Sequence, residues 1–372
     1  MRTRRGFTLV ELLVVIVIIG ILAAIITVAV AAAFRASHRA KIGMEAGQIA
    51  MAIDRYHAEF GEYPPDFYDD DALVRHVRKR WPRYELPQGA NNYVIATHLR
   101  LAMALVYRNS AIYPQNVMSE WVAAPNAANL QLTTPDTNIS SLAIWLGGFA
   151  NPEGRFEGFS ADPEAPFGRD GNGVINSGSN ANGLNMNDVR IGTPDKKVFM
   201  ELEVNKNVFF FDSRAPNGRA GLALCLGTKS GSMILPIVYF RGNSSGGPGA
   251  YYDFSGPQPQ IKSYNFGINV AATGNAPGSV WNDCGVVVPY AKSGTYNANL
   301  PDSTIVWNNP TTYQLIHPGL DGKFSNVPPP PPPPPPPLPL WRVINSGIGI
   351  GVQDLDNITN FSDNKELRSI LP

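Results

Sequence analysis

The sequence predicts an α+β protein in which a long N-terminal helix packs on a large head with a mostly antiparallel β-sheet. Three observations lead to this class. Residues 7–60 carry an almost unbroken helical pattern, helical segments dominate residues 61–150, and short apolar runs between Gly, Pro, Asn and Asp dominate residues 151–372. The head is large enough to form one big domain or two packed lobes.

The first element is a predicted transmembrane helix over residues 7–34. Residues 12–34 carry no charged side chain and would span roughly 34 Å as a helix. Glu11 is the only ionisable residue between Phe7 and Phe34. A carboxylate beside such a span costs about 2.5–3.5 kcal/mol on insertion scales, so we expect Glu11 to have a cationic partner.

A short basic leader precedes the apolar stretch. It comprises residues 1–6, with arginines at positions 2, 4 and 5, and ends in Gly6. An ordinary secretory signal is cut after its apolar core, whereas a cut at Gly6 would fall before it. The sequence Gly-Phe-Thr-Leu-Val-Glu at 6–11, followed by an apolar run, closely resembles the class III leader of type IV pilins and type II secretion pseudopilins. The alternative is an ordinary signal anchor with a chance Gly-Phe pair.

The resemblance implies a processing reaction and a structural function. A prepilin peptidase would cut between Gly6 and Phe7 and methylate the new amine of Phe7. That amine would neutralise Glu11 of a neighbouring subunit, since two charges that are costly alone become tolerable as a pair. The implied protein assembles into a periplasmic pseudopilus for type II protein secretion. Its partners would be other copies of itself, other pseudopilins, the inner-membrane assembly platform and membrane lipid.

The charges around the span give conflicting indications of orientation. The leader arginines favour a cytoplasmic N-terminus, but Arg35, Arg39 and Lys41 follow the span and favour the opposite. The resemblance implies a single pass of the inner membrane with the N-terminus in the cytoplasm and the head in the periplasm. Loss of the three leader arginines would leave 27 of 30 basic residues against 30 acidic ones, which gives no support for nucleic-acid binding by bulk charge.

Residues 35–60 are predicted to continue the helix as an amphipathic segment. Apolar residues recur there at intervals of 4, 3, 4, 3 and 4, at Ile42, Ala46, Ile49, Ile53, Tyr56 and Phe60. This seam is expected to pack on the head, in a filament, or on both. Gly61 and the prolines at 64–65 predict the helix end, and this Gly-x-Tyr-Pro turn resembles the corresponding segment of the major pseudopilin of type II secretion.

Further elements of the head follow from local patterns. Helices are predicted at 69–80, 91–107 and 140–146, and strands at 198–204, 208–211, 234–240, 261–268 and 285–288. Ten prolines at 328–337 would form a stiff polyproline II rod of roughly 31 Å. We interpret them as an insertion within one loop that serves as a spacer, with recognition by an aromatic groove as the alternative.

Aspartates on either side of the proline tract are candidate calcium ligands. In the major pseudopilin the C-terminal loop binds calcium, and the resemblance assigns its aspartates to Asp321 and to Asp356, with Asp354 nearby. Carboxylates in a turn-rich loop suit a hard cation. The alternative is that these aspartates only form turns.

The two cysteines leave two possibilities open. A disulfide between Cys225 and Cys284 would close a loop of about 60 residues and stabilise the fold by roughly 4 kcal/mol in the chain-entropy model. Two separately buried thiols are the alternative.

The remaining motifs do not indicate catalysis. Residues 169–176 look like the middle of an EF-hand loop but lack its first and last ligands. Residues 242–246 match Gly-x-Ser-x-Gly, yet no helix can start after them, and the five histidines show no metal-ligand spacing. The sequence therefore predicts a structural subunit and no enzyme. The alternative is a membrane-anchored extracytoplasmic binding module or enzyme that uses the leader only for export and anchoring.

Overall fold

The computed structural model describes most of the helix and much of the head. The described residues are 9–86, 90–110, 140–179, 182–214, 220–230, 233–243, 246–247, 249–253, 260–266, 284–294, 304–324, 342–343, 352–363 and 365–370. Within them the chain is an α+β protein with one long N-terminal helix and mostly antiparallel sheets, as the sequence predicts. The leader, Phe7 and the proline tract lie outside the described residues.

Four helices are described, and local sequence signals explain their bounds. The helices are α1 Leu9–Phe60, α2 Asp70–Arg80, α3 Asn92–Arg108 and α4 Ser141–Gly147. The side chains of Asp69 and Asn91 cap α2 and α3, because each accepts a hydrogen bond from a backbone N–H of the first turn, at 2.9 and 3.0 Å. These bounds agree with the predicted ones to within one residue.

Three sheets and two isolated strand pairs make up the rest of the described head. The first sheet has the order β1 Val208–Arg214, β2 Ala220–Ser230, β3 Met233–Pro236. The second has the order β14 Lys365–Glu366, β13 Ile358–Thr359, β11 Tyr313–His317, β4 Val238–Arg241. The third has the order β10 Val306–Trp307, β9 Tyr290–Ser293, β12 Arg342–Val343. The pairs are β5 Tyr252–Asp253 with β6 Gln260–Ile261, and β7 Tyr264–Phe266 with β8 Gly285–Val287. Among these pairings only β9 with β12 is parallel.

Three predicted strands differ from the observed ones. Residues 198–204 form only isolated bridges, at Glu203 and Val204, so that prediction is wrong. The run 234–240 divides into β3 and β4 because Pro236 has no N–H to continue the ladder, and the N–H of Ile237 donates to Leu226 O instead. The run 261–268 divides because its two parts have different partners: β6 pairs with β5, and β7 pairs with β8. Residues 267–268 lie outside the described residues.

Two apolar cores lie inside the head. The larger one joins the α1 seam to helices α2, α3 and α4 and to an aromatic group that includes Trp81, Trp145, Phe149, Phe159 and Phe167. The second core lies among the strands. The larger core draws on residues from both predicted parts of the head, 61–150 and 151–372, so the change in composition near residue 150 does not separate two cores.

Candidate functional site

The N-terminal half of α1 presents an apolar surface that the head does not cover. Residues 9–41 are exposed along their whole length, and the segment reaches a mean hydropathy of 3.3 over 18 residues. The helix is therefore long and apolar enough to cross a membrane. Glu11 lies close to the first described residue of α1 and is exposed on this surface. Gly6 and Phe7, the predicted cleavage site, lie outside the described residues.

The C-terminal half of α1 is bound to the head along the predicted seam. Ile42, Ala46, Ile49, Ile53 and Tyr56 are buried, and Phe60 is half-buried. The seam contacts α4, β2, β11 and β13, which come from distant parts of the chain. The change from an exposed to a covered helix thus falls at residues 41–42, beyond the end of the apolar span.

A chain of buried polar groups fixes the end of α1 against α2. The Tyr56 hydroxyl lies 2.5 Å from His76 Nε2, and His76 Nδ1 lies 2.9 Å from Glu62 Oε1. Burial lowers the pKa of His76 and so favours the neutral ring, which donates from Nδ1 to Glu62 and accepts at Nε2 from Tyr56. Burial alone would raise the pKa of Glu62, but the hydrogen bond from the neutral His76 ring and the charges of Arg241 and Arg75 lower it to about 2.

The same junction holds a cation among aromatic rings. The guanidinium carbon of Arg80 lies 4.7 Å from the ring centre of Phe60, 4.5 Å from that of Trp81 and 4.4 Å from that of Phe159. Arg80 Nη1 also donates to the Tyr56 hydroxyl at 3.4 Å. Burying the Tyr56 hydroxyl raises its pKa, so it stays a neutral donor and acceptor. The hydrogen-bonded series Tyr56, His76 and Glu62 has the composition of an acid–base relay. Because Tyr56 is fully buried, we interpret these contacts as structural ones that hold α1 against α2.

The turn after α1 is fixed by a buried ion pair. Gly61 has the left-handed φ of 69° that ends the helix, and its N–H donates to His57 O at 2.7 Å. Asp66 Oδ2 then accepts from Lys262 Nζ at 2.7 Å and from the backbone N–H of Arg241 at 2.9 Å. The predicted Gly-x-Tyr-Pro turn is therefore followed by Asp66, whose carboxylate attaches it to Arg241 in β4 and to Lys262.

The structure brings two of the three candidate calcium ligands close to one turn. Asp356 Oδ2 accepts from the backbone N–H groups of Leu320 and Asp321, at 2.8 and 3.1 Å. Its Oδ1 is buried, and no described residue forms a hydrogen bond to it. Asp321 is exposed, and only part of its carboxyl is shielded from solvent; this partial burial raises its pKa to about 6, the backbone N–H of Lys323 opposes that change, and the charge of Asp356 adds to it. An unsatisfied oxygen and a carboxyl with a raised pKa are what a bound cation would correct.

The third candidate, Asp354, is held by other contacts. It is fully buried, and its Oδ1 accepts from the Tyr290 hydroxyl and from Asn357 Nδ2, both at 3.0 Å. No group of three His, Cys, Asp or Glu side chains among the described residues has an arrangement that could hold a metal. Asp321 and Asp356 therefore fit a calcium ion better than Asp354 does, and further ligands would have to be backbone oxygens or water.

An open cavity of about 640 Å³, lined by both charged and apolar residues, lies elsewhere in the head, in the region of the EF-hand-like sequence. Its charged lining residues are Asp162, Arg169, Asp170, Asp188 and Arg190. Arg169 pairs with Asp162 at 2.8 Å and Arg190 with Asp188 at 3.1 Å. Asp170 accepts three backbone N–H groups at 2.9 Å, which lowers its pKa and occupies both oxygens. The segment 169–176 thus forms a turn that the Asp170 carboxylate stabilises.

The two cysteines are thiols inside the second core. Cys225 and Cys284 are both buried, and no disulfide joins them. The disulfide alternative is therefore not what the structure shows. Burial raises the pKa of the Cys225 thiol, and the nearby Cys284 adds to the effect, so Cys225 is an unreactive core residue.

Sequence reasoning missed the buried polar contacts of the junction. His76 lies 20 positions from its partner Tyr56, and Lys262 lies 196 positions from its partner Asp66. Contacts between residues so far apart leave no periodic pattern in the sequence. The available indication for His76 was its place on the apolar face of a short helix, between Leu73 and Val77.

Comparison with known proteins supports the processing motif. Residues 1–27 match the family model of the prokaryotic N-terminal methylation motif. This match covers the leader and the first part of α1, and it is consistent with a type IV pilin-like precursor that a prepilin peptidase processes. No curated protein and no solved structure gives a significant match to the chain.

Proposed function

We propose that this chain is a structural subunit of a type II secretion pseudopilus, cleaved between Gly6 and Phe7 and methylated at Phe7. The observation that carries the proposal is the division of α1 into an exposed part, residues 9–41, which is apolar as far as Phe34 apart from Glu11, and a part covered by the head, residues 42–60. An apolar surface of this length needs lipid or other subunits around it. Storage in a membrane and assembly into a filament provide both in succession.

The location and partners of the subunit belong to the same proposal and rest on the resemblance to pilins and pseudopilins. The chain would cross the inner membrane once, with its N-terminus in the cytoplasm and its head in the periplasm. Other copies of the chain and other pseudopilins would cover the apolar surface of α1 in the filament, and the inner-membrane platform would add each subunit. Glu11 would meet the methylated amine of a neighbouring Phe7, which removes the cost of an isolated charge in an apolar filament core.

A calcium ion bound by Asp321 and Asp356 is a further part of the proposal. It is supported by the buried, unsatisfied Oδ1 of Asp356 and by the raised pKa of Asp321. The ion would bind the turn at Gly319–Gly322 to the 3₁₀ turn Val352–Asp356. Its contribution would be to the stability of the head.

The alternative is an anchored binding module or enzyme that uses the leader only for export. The described residues favour the structural subunit, because the groups that suit acid–base chemistry already have structural partners. Tyr56, His76 and Glu62 bond to one another inside the core, and the charged residues of the cavity are paired. We therefore propose that the protein is no enzyme.

Intact-mass analysis of protein from membranes tests the processing step. We expect a mature chain that begins at methylated Phe7, and Gly6→Ala should leave a precursor that retains residues 1–6. Gly20→Ala is the matched control, because Gly20 lies in the same apolar segment and a Cβ there meets no atom within 4 Å. A wild-type chain that begins at Met1 in cells with an active prepilin peptidase would contradict the proposal.

A further inference from the structure

Basic side chains follow the apolar span on the side of the head, where the rule for membrane orientation disfavours them. We propose that they form a binding surface for the anionic phosphate groups of membrane lipids. This basic collar comprises Arg35, His38, Arg39 and Lys41 of α1 together with Lys365 and Arg368 of the head. The proposal rests on the membrane anchoring of α1, and it adds that the membrane surface facing the head carries anionic lipids.

The collar continues the seam by which the head binds α1. Arg35 and Arg39 precede Ile42 at intervals of 4 and 3, which repeat the spacing of the buried seam. They therefore lie on the face of the helix that packs on the head, but in the two turns before the head covers it. This face is directed into the space between the head and the end of the apolar span.

This segment is long enough to cross the layer of lipid headgroups and to extend a few ångströms beyond it. From Phe34, the last residue of the span, to Ile42 the helix rises roughly 12 Å. The polar layer on each side of a bilayer is about 5–8 Å thick, since the hydrocarbon core of about 30 Å lies within a total of about 40–45 Å. The long side chains of Arg35 and Arg39 can therefore reach phosphate groups while the head remains outside the bilayer.

The head contributes to the same surface. Arg39 Nε forms an ion pair with Glu366 Oε1, which places β14 beside α1 at this level. Lys365 and Arg368, on either side of Glu366, are exposed. Ile370 is 37% exposed, so an apolar side chain accompanies the charges close to the expected membrane surface. The contact of Arg39 with Glu366 thus brings a basic segment of the head beside the basic residues of α1.

Part of the positive charge of the collar remains uncompensated. Lys41 lies 3.7 Å from Glu45, and Arg39 is paired with Glu366. Within the described part of the chain, the other four members of the collar form no ion pair. Among the acidic residues of the described part of 352–370, only Asp363 is exposed, so little negative charge lies on the head surface there. An anionic surface is the partner that this excess charge fits. Each Lys or Arg held at such a surface strengthens binding by about fivefold, which corresponds to about 1 kcal/mol.

Lipid binding by the full-length chain in a mild non-ionic detergent tests the proposal. Native mass spectrometry would count adducts of dioctanoylphosphatidylglycerol, with dioctanoylphosphatidylcholine as the uncharged comparison. Wild type should bind the anionic lipid at least fivefold more tightly. Arg35→Gln should weaken that binding by about fivefold without changing binding of the neutral lipid. Arg55→Gln is the matched control, because Arg55 is an exposed arginine on α1 beside the head, and it should have no effect.

Three results would overturn the proposal. They are equal binding of both lipids by wild type, equal losses in the Arg35 and Arg55 variants, and a loss of cross-links between subunits in Arg35→Gln with unchanged lipid binding. The third would assign the collar to a contact with a second copy of the chain. Resistance of the wild-type chain to alkaline carbonate extraction tests the anchoring separately. Retention in the membrane without a preference for the anionic lipid would refute the collar alone, whereas extraction would refute the anchoring itself.

Discussion

The buried ion pair between Lys262 and Asp66 allows a quantitative test of how the head holds the end of α1. The two side chains are 4% and 1% exposed, and Lys262 Nζ also donates to Arg241 O at 2.7 Å. Lys262→Met keeps most of the aliphatic volume but leaves the Asp66 carboxylate buried without its cation. Removing one partner of a buried pair costs about 3–5 kcal/mol.

The expected shift in melting temperature follows from this cost. In a large domain 1 kcal/mol corresponds to roughly 2–4 °C, so Lys262→Met should lower Tm by roughly 6–20 °C. The double variant Asp66→Asn with Lys262→Met should recover at least half of the loss, since no uncompensated charge remains. Lys197→Met is the control, because Lys197 lies 2.6 Å from Glu59 in a pair whose side chains are 63% and 40% exposed. Such a surface pair contributes about 0–1 kcal/mol.

Thermal unfolding of the full-length chain in detergent, followed by tryptophan fluorescence, measures these differences. Trp81 and Trp145 are buried in the larger core, so their emission reports loss of packing at the junction. The reasoning fails if Lys262→Met lowers Tm no more than Lys197→Met does. It also fails if the double variant is as unstable as the single one, because the cost would then come from lost packing and not from an uncompensated charge.

Three further predictions concern single carboxylates. Glu11→Val should leave cleavage and insertion intact but abolish cross-links between subunits along residues 42–60, because the pairing with a neighbouring Phe7 amine is lost; undiminished cross-links would contradict the filament. Without calcium, Tm should fall as the pH rises from about 4 through 6, since Asp321 has a pKa raised to about 6 and its ionisation is less favourable in the folded chain. Calcium should abolish this fall of Tm in wild type, and Asp321→Asn should abolish it in the absence of calcium. If a chelator does not change the Tm of wild type at pH 7, Asp321 only forms a turn. The pH dependence expected for Glu62 is the opposite. Its pKa is lowered to about 2, so its contribution to the stability of the folded chain is complete above about pH 4.5 and is lost as the pH falls toward 2. Glu62→Gln should therefore make Tm less dependent on pH in that range.

The helices could be predicted because their signals are local. The seam of α1 follows from spacing alone, and the capping residues Asp69 and Asn91 mark the starts of α2 and α3. The strands were harder, because β2, the longest one, begins with Ala-Gly and contains Gly227, a pattern that does not alternate clearly. The short strands β12, β13 and β14 depend on pairing with distant partners and carry no sequence signal of their own.

Among the functional residues, those in a local motif could likewise be predicted from the sequence, whereas those that meet only through the tertiary fold could not. Gly6, Phe7 and Glu11 form a contiguous motif that the sequence displays directly, and the family match covers it. The contacts of Asp66 with Lys262 depend on the tertiary fold, which composition and spacing do not encode locally. Asp321 and Asp356 are intermediate, because a resemblance suggested that they lie together and the hydrogen bond from the Asp321 backbone N–H to Asp356 places them together. Whether calcium binds there stays a prediction.

The order of strands in the second sheet affects when the subunit can fold. β4 pairs with β11, β11 with β13 and β13 with β14, so the sheet that covers part of the α1 seam needs residues up to 366. At a synthesis rate of about 5–20 residues per second, roughly 15–60 s pass between the emergence of residue 60 and that of residue 366. During that interval part of the seam is bare, and a chaperone or the membrane surface must shield it. The anchor is therefore complete early, whereas the head closes only near the end of synthesis.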